Sequence, residues 1–70
     1  MMSVDPARLA LLTAREREIV ARVVDGRTSA EIAVALTLSR RTVENHIANV
    51  YRKLRISNRR ELVLIAGPRT

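Results

Sequence analysis

The stretch from residue 40 to residue 54 carries an unusual set of side chains for one predicted helix. Two asparagines lie four residues apart, with an alanine between them and arginines on either side. Asparagine is a poor helix former, so two of them within one helix need a reason. Asn can pair with adenine edges, Arg with guanine, and Ala can touch the thymine methyl group. These residues predict hydrogen bonding to base edges in a DNA major groove, with the candidate readers being Arg41, Glu44, Asn45, Ala48 and Asn49.

Such side chains need a helix that turns its other side to a core. Val43, Ile47, Val50 and Leu54 recur at intervals of four, three and four residues, the spacing of an apolar stripe on an amphipathic helix. At about 100° per residue, the asparagines and arginines fall on the opposite side. The sequence therefore predicts a helix over residues 40–54 with a polar face free for a partner. The alternative is that the asparagines are neutral surface residues.

Positive charge is concentrated in the same third of the chain. The net charge is +6, from 13 basic and 7 acidic residues. Residues 40–60 contain seven bases and one acid, Glu44, so the remainder is balanced. This is the electrostatic pattern of a polyanion binder, with a solubilising surface as the alternative. Glu44 can accept a hydrogen bond from cytosine, repel phosphate or pair with Arg40 four residues earlier; the pair or a role at the rim is favoured.

Residues near the helix starts and on the flank of the third predicted helix are expected to bind phosphate. Free backbone amides at a helix N-terminus favour anions, and phosphate contacts fix register without reading sequence. Capping or simple solvation is the alternative for each of them. The predicted phosphate contacts are Thr28, Ser29, Arg40, Thr42, His46, Arg52, Lys53, Asn58 and Arg59.

Start and stop patterns divide the chain into an all-α fold, a bundle of four helices. Capping boxes, in which a Thr or Asn is followed three residues later by Glu, begin at Thr13, Thr28 and Asn58. Gly26 and the pair Gly67-Pro68 are stop signals. The predicted helices span about 14–25, 29–36, 40–54 and 59–66.

Only three residues separate the second and third predicted helices. Ser39 is a good N-cap, and Leu38 is expected to be buried beneath the turn. Two helices joined in this way form a helix-turn-helix.

The two ends of the chain are predicted to lie outside the bundle. Residues 1–10 lack a helical period and Pro6 discourages a helix, so they are expected to be a flexible lead-in. The domain is placed at 11–67 and a tail at 68–70. The leucines near the junction are expected to touch the core, namely Leu9, Leu11 and Leu12.

Composition argues against several classes of function. The chain has no Cys, and His46 is its one histidine, so no metal site or cofactor is expected. No Ser stands at a spacing that would make it a nucleophile, so an enzyme is not expected either. No apolar run approaches a membrane span, and no signal peptide begins the sequence, so a cytoplasmic protein associated with the nucleoid is expected.

Several motifs together resemble a known family. The runs LTAREREIV, EIAVAL, LSRRTVENHI, YRKL and SNRREL, with Gly26 between the first two, resemble the C-terminal DNA-binding domain of LuxR-type regulators, also called the GerE or NarL type. The resemblance covers about residues 11–66. It implies a four-helix fold, a third helix that reads DNA, dimeric binding to inverted repeats and a last helix used for dimerisation. The family's contacting positions match Glu44, Asn45 and Ala48, although many members carry Lys or Arg at the first, and the family's turn glycine is absent.

The last predicted helix has apolar residues on more than one side. Val63 and Ala66 are expected to meet a twin helix across a two-fold axis, the alternative being that the apolar residues of this helix are all core or scattered surface residues. Such a short helix buries too little for a tight dimer. A monomer in dilute solution that pairs on DNA is therefore expected.

The function predicted is sequence-specific binding of double-stranded DNA by a transcriptional regulator, with no small-molecule ligand in this domain. RNA polymerase is a possible further partner. One alternative is a module like region four of sigma factors, which binds promoter and polymerase. Another is a protein-interaction adaptor of the same fold, which would bind a partner tightly without reading DNA. A stand-alone regulator and a domain of a longer protein both remain open.

Overall fold

Five α-helices make up the computed structural model, which describes residues 6–67. The described part of the chain contains no strand. Four of the helices begin and end within one residue of the predicted bounds, so the all-α prediction is confirmed. The helices are α1 Pro6–Leu9, α2 Ala14–Val24, α3 Ser29–Leu36, α4 Arg40–Leu54 and α5 Arg59–Ala66.

The extra helix corrects the prediction of a lead-in without structure. Pro6 stands at the first position of α1, where its fixed φ suits a helix and its missing N–H would have had no partner. Leu9 is half-buried and packs against the core, and Leu12 is buried. Leu11 was expected to touch the core, but its exposed fraction is 58%. The rest of the predicted lead-in, residues 1–5, and the tail at 68–70 with Pro68 lie outside the described residues.

Two of the three predicted capping boxes are complete. The Thr13 and Thr28 hydroxyls each accept the N–H three residues on, and the glutamates there accept the N–H of the cap in return. For the third box, only one of the two predicted hydrogen bonds forms. Asn58 accepts from the N–H of Glu61 at 2.9 Å, but the Glu61 carboxylate accepts from the Ser57 N–H at 2.7 Å. Asn58 is more extended than the other caps, with φ −158°, which brings the preceding amide to the carboxylate.

Left-handed residues follow α2, α3 and α4. Gly26 has φ +89°, as its type predicts, whereas Thr37 and Arg55 take φ +58° without being glycine. In each case the residue after the left-handed one donates its N–H to the carbonyl five residues earlier, as in a Schellman motif. After α3 and α4 that next residue is Leu38 or Ile56, and both are half-buried against the core. The chain thus makes the predicted helix-turn-helix from α3 and α4, although Leu38 is less buried than expected.

Within residues 6–67, the buried apolar side chains of the core are all aliphatic. Helix α2 packs against α3, α4 and α5, and α3 packs against α4. The stripe predicted on α4 is buried in full. The buried apolar residues are Leu12, Ile19, Val20, Val23, Ile32, Ala33, Val43, Ile47, Val50, Leu54 and Leu62.

One charged side chain lies inside this core. Glu16 exposes 5% of its side chain, and its Oε1 accepts from the Thr13 N–H at 2.9 Å and from the Lys53 ammonium at 2.8 Å. Burial alone would raise the pKa of Glu16. The hydrogen bonds from Lys53 and Thr13, together with the Lys53 charge, outweigh it and hold the pKa of Glu16 below its ordinary value. The pair joins the first turn of α2 to the last turn of α4.

The Glu16–Lys53 pair makes the free energy of unfolding depend on pH in the acidic range. Because the folded pKa of Glu16 lies below its unfolded value, its contribution is present above about pH 4.3 and is lost as pH falls through the folded pKa. We expect Glu16→Gln to lower the free energy of unfolding by about 1–2 kcal/mol at pH 7. The difference from wild type should shrink toward pH 3 in urea titrations. Glu18→Gln, at an exposed ion pair, is the control and should change little at pH 7. A Glu16→Gln deficit that persists unchanged at pH 3 would contradict this assignment.

The left-handed threonine gives a second prediction. A β-branched residue is disfavoured at φ +58°, and glycine is not. We expect Thr37→Gly to raise the free energy of unfolding by about 0.5–1 kcal/mol, measured by urea denaturation. Thr37→Ala, which keeps a Cβ atom, is the matched control and should gain less. Equal stability of the two variants would count against strain at this turn.

Candidate nucleic-acid interface

The outer face of α4 carries the predicted base-reading residues. Because the stripe from Val43 to Leu54 is buried, the opposite side of α4 turns to solvent. Arg41, Glu44, Asn45 and Ala48 are exposed, and Asn49 is half-buried. The structure therefore brings all five candidates onto one helix, with the small Ala48 side chain in their midst.

The side chains on this face differ in how much of their hydrogen-bonding capacity is used. Arg40 Nε donates to Glu44 Oε2 at 3.1 Å, the pair favoured from the sequence. Arg52 donates to the side-chain oxygen of Asn49. Within residues 6–67, neither Arg41 nor Asn45 makes a side-chain hydrogen bond. Asn45 therefore keeps both a donor and an acceptor for a base edge, whereas the Asn49 oxygen is already engaged.

A surface cleft opens at the start of α3. It is lined by residues 26–30 together with Arg40 and Arg59. Arg59 donates to the carbonyl of Arg27 at 2.9 Å, which fixes its guanidinium beside the turn. The first backbone amides of α3, at Ser29 and Ala30, have no carbonyl partner within the helix. Amides and guanidinium groups around one opening suit a phosphate anion.

This cleft unites four of the nine predicted phosphate contacts, namely Thr28, Ser29, Arg40 and Arg59. Thr42 accepts from the Ser39 hydroxyl at 2.9 Å, and the Asn58 oxygen caps α5. His46 is half-buried and Arg52 is exposed on α4. Lys53, the ninth, donates to Glu16. An ammonium has three donors, so others are unused, but the charge of Lys53 is already balanced by the Glu16 carboxylate.

Sequence reasoning missed two participants. Arg27 contributes a carbonyl that orients Arg59, and its place just before the Thr28 cap was the available clue. Glu16 was assigned only to a capping box, and its bond to Lys53 was not predicted. The two residues are 37 positions apart, so no local spacing relates them.

Helix α5 leaves an apolar strip open. Leu64 has an exposed fraction of 71% and Val63 of 38%, whereas Ala66 is half-buried and packs against the core. Leu64 was not among the predicted dimerisation residues. Its position two residues after the buried Leu62, about 200° around the helix, could have identified it.

Other kinds of site have little support in the described structure. Residues 6–67 contain no group of His, Cys, Asp and Glu that could hold a metal ion. None of the helices described here is long and apolar enough to cross a membrane.

Known proteins share this sequence pattern. A family model described as bacterial regulatory proteins, luxR family, matches residues 10–66. The spore germination protein GerE of Bacillus subtilis (strain 168) is 44% identical over 54 residues, which are 77% of this chain and 73% of that protein. The probable transcriptional regulatory protein SgaR of Hyphomicrobium methylovorum is 46% identical over 59 residues, which are 84% of this chain. An uncharacterized response regulatory protein, YgeK of Escherichia coli (strain K12), is 47% identical over 55 residues, or 79% of this chain. The chain spans only 27% of SgaR and 37% of YgeK.

Proposed function

The chain belongs to the luxR family of bacterial regulatory proteins, and we propose that, as a DNA-binding transcription regulator domain, it reads a specific operator with α4 in the major groove. The observation that carries this proposal is the outer face of α4. There an exposed alanine lies among amide and guanidinium side chains, directly opposite the buried stripe.

Asn45 is the principal base reader in this proposal. Its amide makes no hydrogen bond to other side chains within residues 6–67, so it can pair with the N6 and N7 atoms of adenine without first breaking an internal contact. Arg41 is free in the same sense and suits guanine. Asn49 and Glu44 would each have to release an arginine before their oxygens could accept from a base. Ala48 permits close approach and can contact a thymine methyl group.

Phosphate contacts would fix the register of α4 in the groove. The cleft at the start of α3 supplies backbone amides with the side chains of Thr28, Ser29, Arg40 and Arg59. Because Arg40 lines this cleft and also belongs to α4, one residue connects the phosphate site to the recognition helix. Thr42, His46, Arg52 and Asn58 complete the proposed phosphate set. Lys53 is not included in this set, because its ammonium is bonded to Glu16.

A dimer on an inverted repeat fits the open strip on α5. Val63 and Leu64 provide apolar surface for a twin helix, and Ala66 lies at its edge against the core. An eight-residue helix offers an area well below that of stable dimer interfaces, which bury about 1,200 Å² or more. Pairing is therefore proposed to be weak in solution and to be stabilised by two adjacent half-sites.

Selection of duplexes from a random library at roughly physiological salt tests the proposed function. We expect the wild-type chain to enrich an inverted repeat whose half-sites are spaced about one helical turn, or a multiple of it, apart. Asn45→Ala should lose preference at one base position and weaken binding to the selected site by about 1–3 kcal/mol. Glu18→Ala, on exposed surface outside the proposed interface, should retain the wild-type preference.

Circular dichroism should confirm that both variants fold. An unchanged preference in folded Asn45→Ala would remove Asn45 from the base readers. No enrichment by wild type would contradict sequence-specific binding and would favour the adaptor alternative if a partner protein binds tightly.

The dimer proposal has its own measurement. In analytical ultracentrifugation at low micromolar concentration, we expect wild type to sediment as a monomer. Leu64→Glu should retain binding to a single half-site, because α5 is not proposed to touch the bases, but should lose the cooperativity seen on the full repeat. Leu11→Glu, at an exposed leucine elsewhere, is the control. A stable wild-type dimer without DNA would contradict the expected weakness of the pair.

A further inference from the structure

The cations of the basic third of the chain do not all face solvent in the same way. Arg41, Arg55 and Arg60 are exposed and form no ion pair within residues 6–67. Arg40 pairs with an acid that is itself exposed, so the partner can be exchanged for a phosphate at little cost. Lys53 is different because its partner carboxylate is buried, with 5% of the Glu16 side chain exposed against 35% of the Lys53 side chain.

A buried carboxylate holds its cation more firmly than an exposed one. If the Lys53 ammonium moved to a phosphate, the Glu16 carboxylate would be left charged in the core with one hydrogen bond, from the Thr13 N–H. Leaving a buried charge without its partner is strongly unfavourable, and the phosphate contact would have to offset that cost. The lowered pKa of Glu16 is consistent with a carboxylate that stays ionised and paired at neutral pH.

We propose that Glu16 is a positioning residue of the DNA interface. It binds the Lys53 ammonium at 2.8 Å, holds the last turn of α4 against the first turn of α2, and keeps Lys53 out of the set of cations that neutralise phosphate. This inference rests on the proposed function, since it concerns how the chain meets DNA. It replaces the phosphate contact expected of Lys53 from its sequence position alone.

The salt dependence of DNA binding counts the cations that neutralise phosphates. Each phosphate neutralised by a cation contributes about −0.9 to the slope of log K against log salt on duplex DNA. Lys53 contributes nothing to the wild-type slope, because its counter-charge is carried within the protein. Removing the charge of Glu16 releases the ammonium and adds about one phosphate contact. Between 50 and 200 mM salt, that added contact corresponds to about a 3–4-fold larger loss of affinity.

The experiment measures binding to a 20-base-pair duplex of arbitrary sequence as salt is varied, for three proteins and a control. Glu16→Gln retains a side chain that can complete the capping box, so the fold is kept while the charge is lost. Glu16→Gln/Lys53→Met removes both charges and leaves no buried ion. Arg59→Met removes one cation of the phosphate cleft. Circular dichroism and urea denaturation accompany each protein.

The expected pattern is specific to a held lysine. The wild-type slope should equal that of the double variant, Glu16→Gln should be steeper than both by about 0.9, and Arg59→Met should be shallower than wild type by about 0.9. A purely structural role of Glu16 would alter stability without steepening the slope.

Two results would overturn the inference while leaving the proposed function intact. One is a wild-type slope steeper than that of the double variant, because Lys53 would then already neutralise a phosphate. The other is a Glu16→Gln slope that is no steeper than that of the double variant. A wild-type chain that binds duplex DNA without any salt dependence would instead overturn the proposed function, and this inference with it.

Discussion

A single carboxylate oxygen, Oε1 of Glu16, links helix α2 to helix α4. Glu16 Oε1 accepts the backbone amide that closes the capping box of α2, and the same atom accepts the ammonium at the far end of α4. Helix α2 is also the element that packs against α3, α4 and α5. The orientation of α4 is thus set by the aliphatic contacts along its buried stripe and by one directional bond at its last turn. Apolar contacts tolerate small rotations, whereas a hydrogen-bonded ion pair in a buried setting favours one geometry.

Local chemistry explains why most of the fold could be predicted from the sequence. Helix caps and stops depend on residues within a few positions of one another, so they can be recognised in the sequence. Examples are the Thr13 and Thr28 boxes, the Ser39 cap and the left-handed Gly26. The stripe on α4 is likewise a local period, and it placed the outer face correctly. Helix α1 was missed because Pro6 was taken to break a helix when it in fact begins one.

Parts of the candidate site that depend on tertiary contacts could not be predicted in this way. Arg59 reaches a carbonyl 32 residues away, and Glu16 meets Lys53 across 37 residues. Spacing within a helix gives no information about such pairs. The hydrogen bond from the Ser57 N–H to the Glu61 carboxylate was also not predicted, because it depends on how extended the Asn58 cap is. The sequence predicted which face of α4 is turned to solvent, while the assignment of each cation to a bound or a free state needed the structure.

Tyr51 is a site-specific optical probe, because the chain has no other Tyr, Trp or Phe. It is the one aromatic residue of the chain, it lies on α4, and it is half-buried against the aliphatic core. No tryptophan or phenylalanine absorbs beside it or quenches it by energy transfer. Tyrosine emission and near-ultraviolet dichroism from this protein therefore arise at one point on one helix. An optical spectrum of the unlabelled chain therefore reports locally on how α4 packs against the core.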